Sequence, residues 1–190
     1  MIRELLKNRS TLFRGQLESF MNQSYSISPT VQDDLISKLE IFVEDHLPLG
    51  RAMNISVSEF NGEQLSLTAP LSHNNNDKGT AFGGSLYCLA VMSCWSWFYL
   101  RCLHTRIEPI GVPNIVVTKA SIDYLLPVTD QNITATCQLE DESIWQGFVD
   151  HYGSKGSAKI QLDASIYTGT DAIKNKAVAF TGSYGLLGAY

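Results

Sequence analysis

"HNNNDKGTAFGGSLYCLAVMSCWSWFYL", residues His73–Leu100, passes from an Asn-rich polar turn through a Gly-Gly pair into a stretch without charge. No Asp, Glu, Lys or Arg lies between Lys78 and Arg101, and a membrane span needs about 20 mostly apolar residues. Length alone therefore leaves three readings: a span, a buried helix, or the floor of an active site. Gly79, Thr80, Gly83, Gly84, Ser85, Ser93 and Ser96 leave only about fifteen firmly apolar positions, which suits a core helix better than a span. Leu86, Leu89, Ala90, Trp97 and Leu100 form one helical stripe and Val91, Trp95 and Phe98 another. A helix apolar on nearly every side belongs inside other structure, so Gly84 to His104 is expected to be a buried helix and not a membrane span.

Upstream of it, Ile55 and Val57 alternate with Ser56 and Ser58, Asn61-Gly62 turns the chain, and Leu65, Leu67 and Ala69 alternate with Ser66 and Thr68. A period of two with such a turn predicts a hairpin of half-buried strands. Three further alternating runs follow the long helix: Ala120, Ile122, Tyr124; Ile133 to Leu139; and Ala158 to Ile166. A sixth strand is expected from Lys176 to Tyr184. A short helix between the fourth and fifth strands is capped by Asp141, buries Ile144, Trp145, Phe148, Val149 and Tyr152, and stops at Gly153. Before the hairpin, Thr30 with Asp33 reads as the start of a helix with a stripe of Leu35, Leu39, Phe42, Val43 and Leu47, closed by Pro48 and Gly50. Residues 1–21 show a loose helical pattern (Leu5, Leu6, Leu12, Phe13, Leu17, Phe20) and lead into a polar linker. The expected organisation is a helical appendage and linker over 1–30 and one α+β domain over 31–190, an antiparallel six-stranded sheet around a long central helix.

The whole chain of 190 residues is 44% hydrophobic and 17% charged, with a mean hydropathy of -0.03, which suits one domain with a proper core. A net charge of -5 and a pI near 5.3 disfavour nucleic acid as a partner, because phosphates would be repelled. The amino terminus alternates charge with apolar residues and shows no signal peptide, so a cytoplasmic location is the expectation. Cys88, Cys94, Cys102 and Cys137 have neither zinc-pair nor CxxC spacing, so no metal and no cofactor is expected. They read either as buried free thiols or, for Cys88 or Cys94, as a nucleophile that would need a base the helix does not offer.

"HNNNDKGTAFGGSLYCLAVMSCW", "IDYLLPV" and "AVAFTGSYGLL" together resemble the thioesterase-like family found as the carboxy-terminal domain of the bacterial protein YiiD, over about residues 31–187, with GTAFGGSL the most specific part. The resemblance implies a hotdog fold, paired sheets in a homodimer or a tetramer, and a thioester substrate on coenzyme A or an acyl carrier protein. Hotdog thioesterases of the phenylacetate type open the central helix with His-Gly-Gly and carry an acid seven positions after the second Gly. Those places hold Phe82 and Val91 here, while Asn76 matches the Asn those enzymes place six residues before the His.

The residues themselves point to the same chemistry. Glycines admit close approach of a backbone, and the first amides of a helix are unsatisfied donors that favour developing negative charge. A thioester carbonyl placed there would gain an oxyanion hole, while a nearby carboxylate or amide holds or deprotonates the attacking water. Asp77, Asn76, Gly83 and Gly84 are the catalytic candidates. Thr80, Phe82, Ser85 and Tyr124 are the substrate-binding ones. Each has a plainer reading: Asp77 as a surface-turn residue, Asn76 bonded to its own backbone, the glycines as close helix-on-sheet packing, Tyr124 as strand core. Two functions follow, a thioesterase or an acyl-binding module without chemistry on the same fold. A hotdog dehydratase would want a His paired with an acid, and only His73 is near.

Overall fold

A run of charged residues on one side and apolar residues on the other makes Pro29–His46 (α1) a helix that lies on the domain, with Leu35 and Leu39 buried. This computed structural model describes residues 27–107, 112–170 and 173–188; the helical pattern read over 1–21 lies outside them. The cap of α1 is Ser28 followed by Pro29 at the first helical position, not Thr30. Proline's fixed φ starts the helix without a side-chain cap. Pro48 opens a separate short helix, Pro48–Ala52 (α2), instead of only closing α1.

The alternating segments form one antiparallel sheet of Ser56–Phe60 (β1), Gln64–Pro70 (β2), Asn114–Tyr124 (β3), Asn132–Gln138 (β4), Ser157–Thr170 (β5) and Ile173–Leu187 (β6), in the order β1-β2-β4-β5-β6-β3. β5 and β6 run longer than their sequence patterns suggest because they pair with each other from Ser157↔Leu187 to Thr170↔Ile173. β1 and β3 are the outer strands. Leu71–Asn74 (α3) is a single turn, and Glu142–Lys155 (α5) ends at Gly156 in the left-handed region, φ 73°, not at Gly153. The left-handed cap needs a residue without Cβ strain, and Gly156 supplies it three residues later.

Gly83–Thr105 (α4) lies along the sheet as the sequence predicts. It is long and apolar enough for a membrane span, yet 67% of its most apolar window is buried within the fold. Leu86, Leu89, Ala90, Trp97 and Leu100 are all buried. Trp95 and Tyr99 are met from the other side by Phe42 of α1, with ring centroids 5.5 and 5.3 Å away. From β6, the Tyr184 hydroxyl donates to the Val91 carbonyl at 3.0 Å, tying sheet to helix. Gly182 leaves the space that the Tyr184 and Phe180 rings occupy, since a Cβ there would come within 2.6 Å of the former. This arrangement is the hotdog fold.

Among the described residues, Arg101 is the one buried charged side chain, 1% exposed. It lies over the rings of Trp97 and Trp145, 5.4 and 4.9 Å from their centroids. It donates to the Gly62 carbonyl at 3.3 Å and pairs with Glu142 at the start of α5. A buried guanidinium needs its counter-charge, so Glu142→Ala is expected to cost about 3 kcal/mol in denaturant unfolding, at the low end of such losses because Glu142 is partly exposed. Near it, His104 is held below the usual imidazole range, first by burial and then by the Arg101 charge. The unfolded chain takes up a proton near pH 6.5 that the fold resists. This contribution is complete above about pH 6.5 and is lost as pH falls toward the folded value. His104→Gln should therefore flatten the acid side of the stability profile, measured as urea midpoints below about pH 6.5.

Candidate active site

The polar turn between β2 and α4 is built by its asparagines. Asn74 is buried, and its side-chain amide donates to the carbonyls of Met53 and Pro70, both at 2.9 Å, while its backbone carbonyl accepts from the Phe82 amide at 2.7 Å. It fixes the loop to the end of β2 and to α2. Asn75 and Ala81 pair as an isolated bridge, and Gly79 takes φ +75° at the tip. Asn76 fills the loop: its Oδ1 accepts from the amides of Lys78 (2.9 Å) and Thr80 (3.2 Å), and its Nδ2 donates to Thr80 Oγ1 (2.9 Å). Its amide group thus braces its own loop, and Thr80 is part of that brace.

Asp77 points outward from this rigid loop. Its side chain is 79% exposed and both carboxylate oxygens lie 3.0 Å from Lys78 Nζ. Within one chain it makes no hydrogen bond to the start of α4 among the described residues. The loop and the helix start are nonetheless adjacent, joined through Ala81 and Phe82.

At that start, Phe82 is the N-cap and provides no side-chain hydrogen bond. The first helical bond runs from the Leu86 amide to the Phe82 carbonyl at 3.0 Å. The amides of Gly83, Gly84 and Ser85 therefore lead the helix without an acceptor inside it. No acidic residue lies in the first turn, so the partial positive charge of the helix end is not offset there. The glycines serve aromatic rings. The Tyr124 ring lies against Gly83, 3.6 Å from where a Cβ would be, and its hydroxyl donates to the Gly83 carbonyl at 2.9 Å. The Phe82 ring folds back on Gly84, where a Cβ would meet it at 2.4 Å. Phe82 is 56% exposed.

Tyr124 is exposed, not core, and its phenol is raised above the usual range by burial, then by Cys88 and Tyr87. Burial also raises the Cys88 thiol, which disfavours a thiolate nucleophile there. Cys94, Cys102 and Cys137 are buried in the core. Ser85 is half-buried beside the glycines. The sequence reading missed the exposed apolar rim formed by Tyr87, Leu125 and Leu126 around Phe82 and Tyr124. The consecutive Leu125-Leu126, two apolar neighbours just past the end of β3, was the available signal. Asn74 was missed as well, for four polar residues in a row look alike in composition.

Tyr124→Phe removes the bond to Gly83 and is expected to lower stability by about 1 kcal/mol. The same change should speed hydrogen exchange at the first amides of α4, which mass spectrometry on the corresponding peptide would read.

A family described as "Putative thioesterase (yiiD_Cterm)" matches residues 36–187, and the chain belongs to it. Among solved structures, a Chlorobaculum tepidum protein of unknown function is 41% identical with a TM-score of 0.75, over 83% of this chain and 96% of that one. A Shewanella oneidensis protein carrying the same thioesterase designation is 25% identical with a TM-score of 0.66, over 82% and 99%. The Escherichia coli PaaI protein from the phenylacetic acid degradation operon shares the fold at 16% identity, with a TM-score of 0.57 over 82% and 96%.

Proposed function

We propose that this member of the family hydrolyses an acyl thioester of coenzyme A or an acyl carrier protein, with the leading amides of α4 as its oxyanion hole. The observation that carries the reading is the uncapped helix start at Gly83, Gly84 and Ser85, set beside a braced polar loop and ringed by exposed apolar side chains. Water adds to the thioester carbonyl, the charge that forms on oxygen meets those N–H groups, and the carbon–sulfur bond then breaks with a proton passing to the thiol. Asp77 holds or deprotonates the water.

Because Asp77 is exposed and makes no hydrogen bond to its own helix start among the described residues, the loop of one chain is assigned to the glycines of a second. β3 supports such a pairing. Among the described residues it is an outer strand with no neighbour beyond it, none of its residues is buried, and Val117 and Tyr124 are exposed along it. An unpaired strand edge beside apolar side chains is usually covered. Light scattering is expected to give a dimer at micromolar concentration, and a monomer would remove the second chain's contribution.

The test of chemistry is thiol release from a panel of short to long acyl-CoA thioesters. Asp77→Asn should lower turnover on the best of them by about 10²-fold or more while binding changes little. Asn76→Ala should cost less, and Gly84→Val should obstruct binding by crowding the Phe82 ring. Unchanged turnover in Asp77→Asn would place the base elsewhere. A second reading has its own observation: α4 carries no carboxylate at all, and Val91 stands where related enzymes carry an acid. Tight binding across the panel with no thiol released would identify an acyl-binding module.

A further inference from the structure

The hairpin of β5 and β6 projects past its neighbours in the sheet. β4 pairs with β5 no further than Ile166 and β3 with β6 no further than Val178, while the two long strands go on pairing from Tyr167↔Lys176 to Thr170↔Ile173. This arm is tied twice to the candidate active site. At its base the amides of Leu125 and Leu126, in the apolar rim, donate to the Ala177 carbonyl at 2.8 and 3.2 Å. Farther out, Asp130 accepts from the Thr168 hydroxyl and, at 3.3 Å, from the Gly169 amide. The loop that carries Asp130 also holds the Val128 carbonyl, which accepts from the Ala81 amide at 2.8 Å, two residues before α4 begins. The arm is therefore fixed in place relative to Gly83 and Gly84.

One face of the arm has a composition of its own. Residues directly opposite each other in a sheet share a face, so Tyr167 lies with Lys176, and Gly169 with Lys174 two residues farther on. Lys176 Nζ stands 5.8 Å from the centre of the Tyr167 ring, and Tyr167 is 45% exposed. Among the described residues neither lysine is in an ion pair, whereas Lys78 in the loop before α4 is bound to Asp77. Two such cations beside an exposed aromatic ring suit a group that carries both phosphates and a planar base. From Val178, opposite Tyr124, to Lys174 the strand runs about 13 Å. Coenzyme A separates its thioester from its phosphates by a pantetheine chain long enough to cover that distance when extended.

We propose that the arm is a coenzyme A subsite: Lys174 and Lys176 receive phosphates and the Tyr167 ring stacks on the adenine, while the thioester end reaches Gly83 and Gly84. This assignment rests on the thioesterase reading above. It chooses coenzyme A over an acyl carrier protein because a protein carrier brings no adenine to Tyr167.

Hydrolysis of three thioesters of one acyl group tests it: that of coenzyme A, that of 4′-phosphopantetheine, which keeps one phosphate and lacks adenine, and that of N-acetylcysteamine, which lacks both. Lys174→Glu with Lys176→Glu is expected to raise KM about tenfold or more for the first with kcat little changed, less for the second, and not for the third. Tyr167→Ala should raise KM for the coenzyme A thioester alone. Positions 167, 174 and 176 are exposed, and circular dichroism should show each variant folded. Calorimetric titration with coenzyme A itself separates the two readings. A protein that releases no thiol from any thioester fails as a thioesterase, yet coenzyme A binding that weakens about tenfold in the lysine variant still upholds the subsite. No binding of coenzyme A by the unaltered protein would overturn the proposal. So would a KM raised equally for all the thioesters, a KM for the coenzyme A thioester indifferent to both lysines, or turnover confined to an acyl carrier protein thioester.

Discussion

A helix that is apolar on almost every side cannot rest on a surface, and the enclosure of α4 is the constraint from which the rest of this structure follows. Six strands supply an apolar face for it, and α1 closes part of the opposite side through Phe42, Trp95 and Tyr99. Burial of its Leu and Trp side chains is the main favourable term, each worth roughly 1.5–3 kcal/mol on area grounds. Arg101 is admitted because two indole faces, a carbonyl and Glu142 receive its charge.

Enclosing the helix also fixes where its first turn emerges. The sheet holds the body of α4, Tyr184 holds its middle, and Asn74 holds the loop that precedes it. The leading amides are thereby presented at one place on the surface with little freedom to move. That pre-set orientation is what an oxyanion site requires, since donors that must reorganise lose much of their benefit.

Much of this was legible in the sequence. Uncharged residues from Gly79 to Leu100 with two apolar stripes announced the central helix, and alternation announced the strands. The Gly-Gly pair marked the helix start. Element ends were less legible: Thr30 and Gly153 looked like boundaries, but Ser28-Pro29 and Gly156 set them, because several nearby residues could cap and tertiary packing chooses among them. The exposure of Tyr124 was hidden for a related reason. Alternation tells which residues share a face, not that their strand lies at the edge of the sheet. The purpose of Gly83 and Gly84 was open between ligand approach and packing. The rings of Tyr124 and Phe82 take up that space within the chain itself.

The Phe82 ring over Gly84 has an energetic meaning for anything that approaches the helix start from that side. Such a molecule first finds the position occupied by a side chain of the protein, and would be received only if the ring swings out. Measured affinity would then be the intrinsic affinity scaled by the fraction of molecules with the ring out. A smaller residue at position 82 would raise the fraction toward one, so that discrimination between ligands would rest more on contact and less on how well each replaces an aromatic ring.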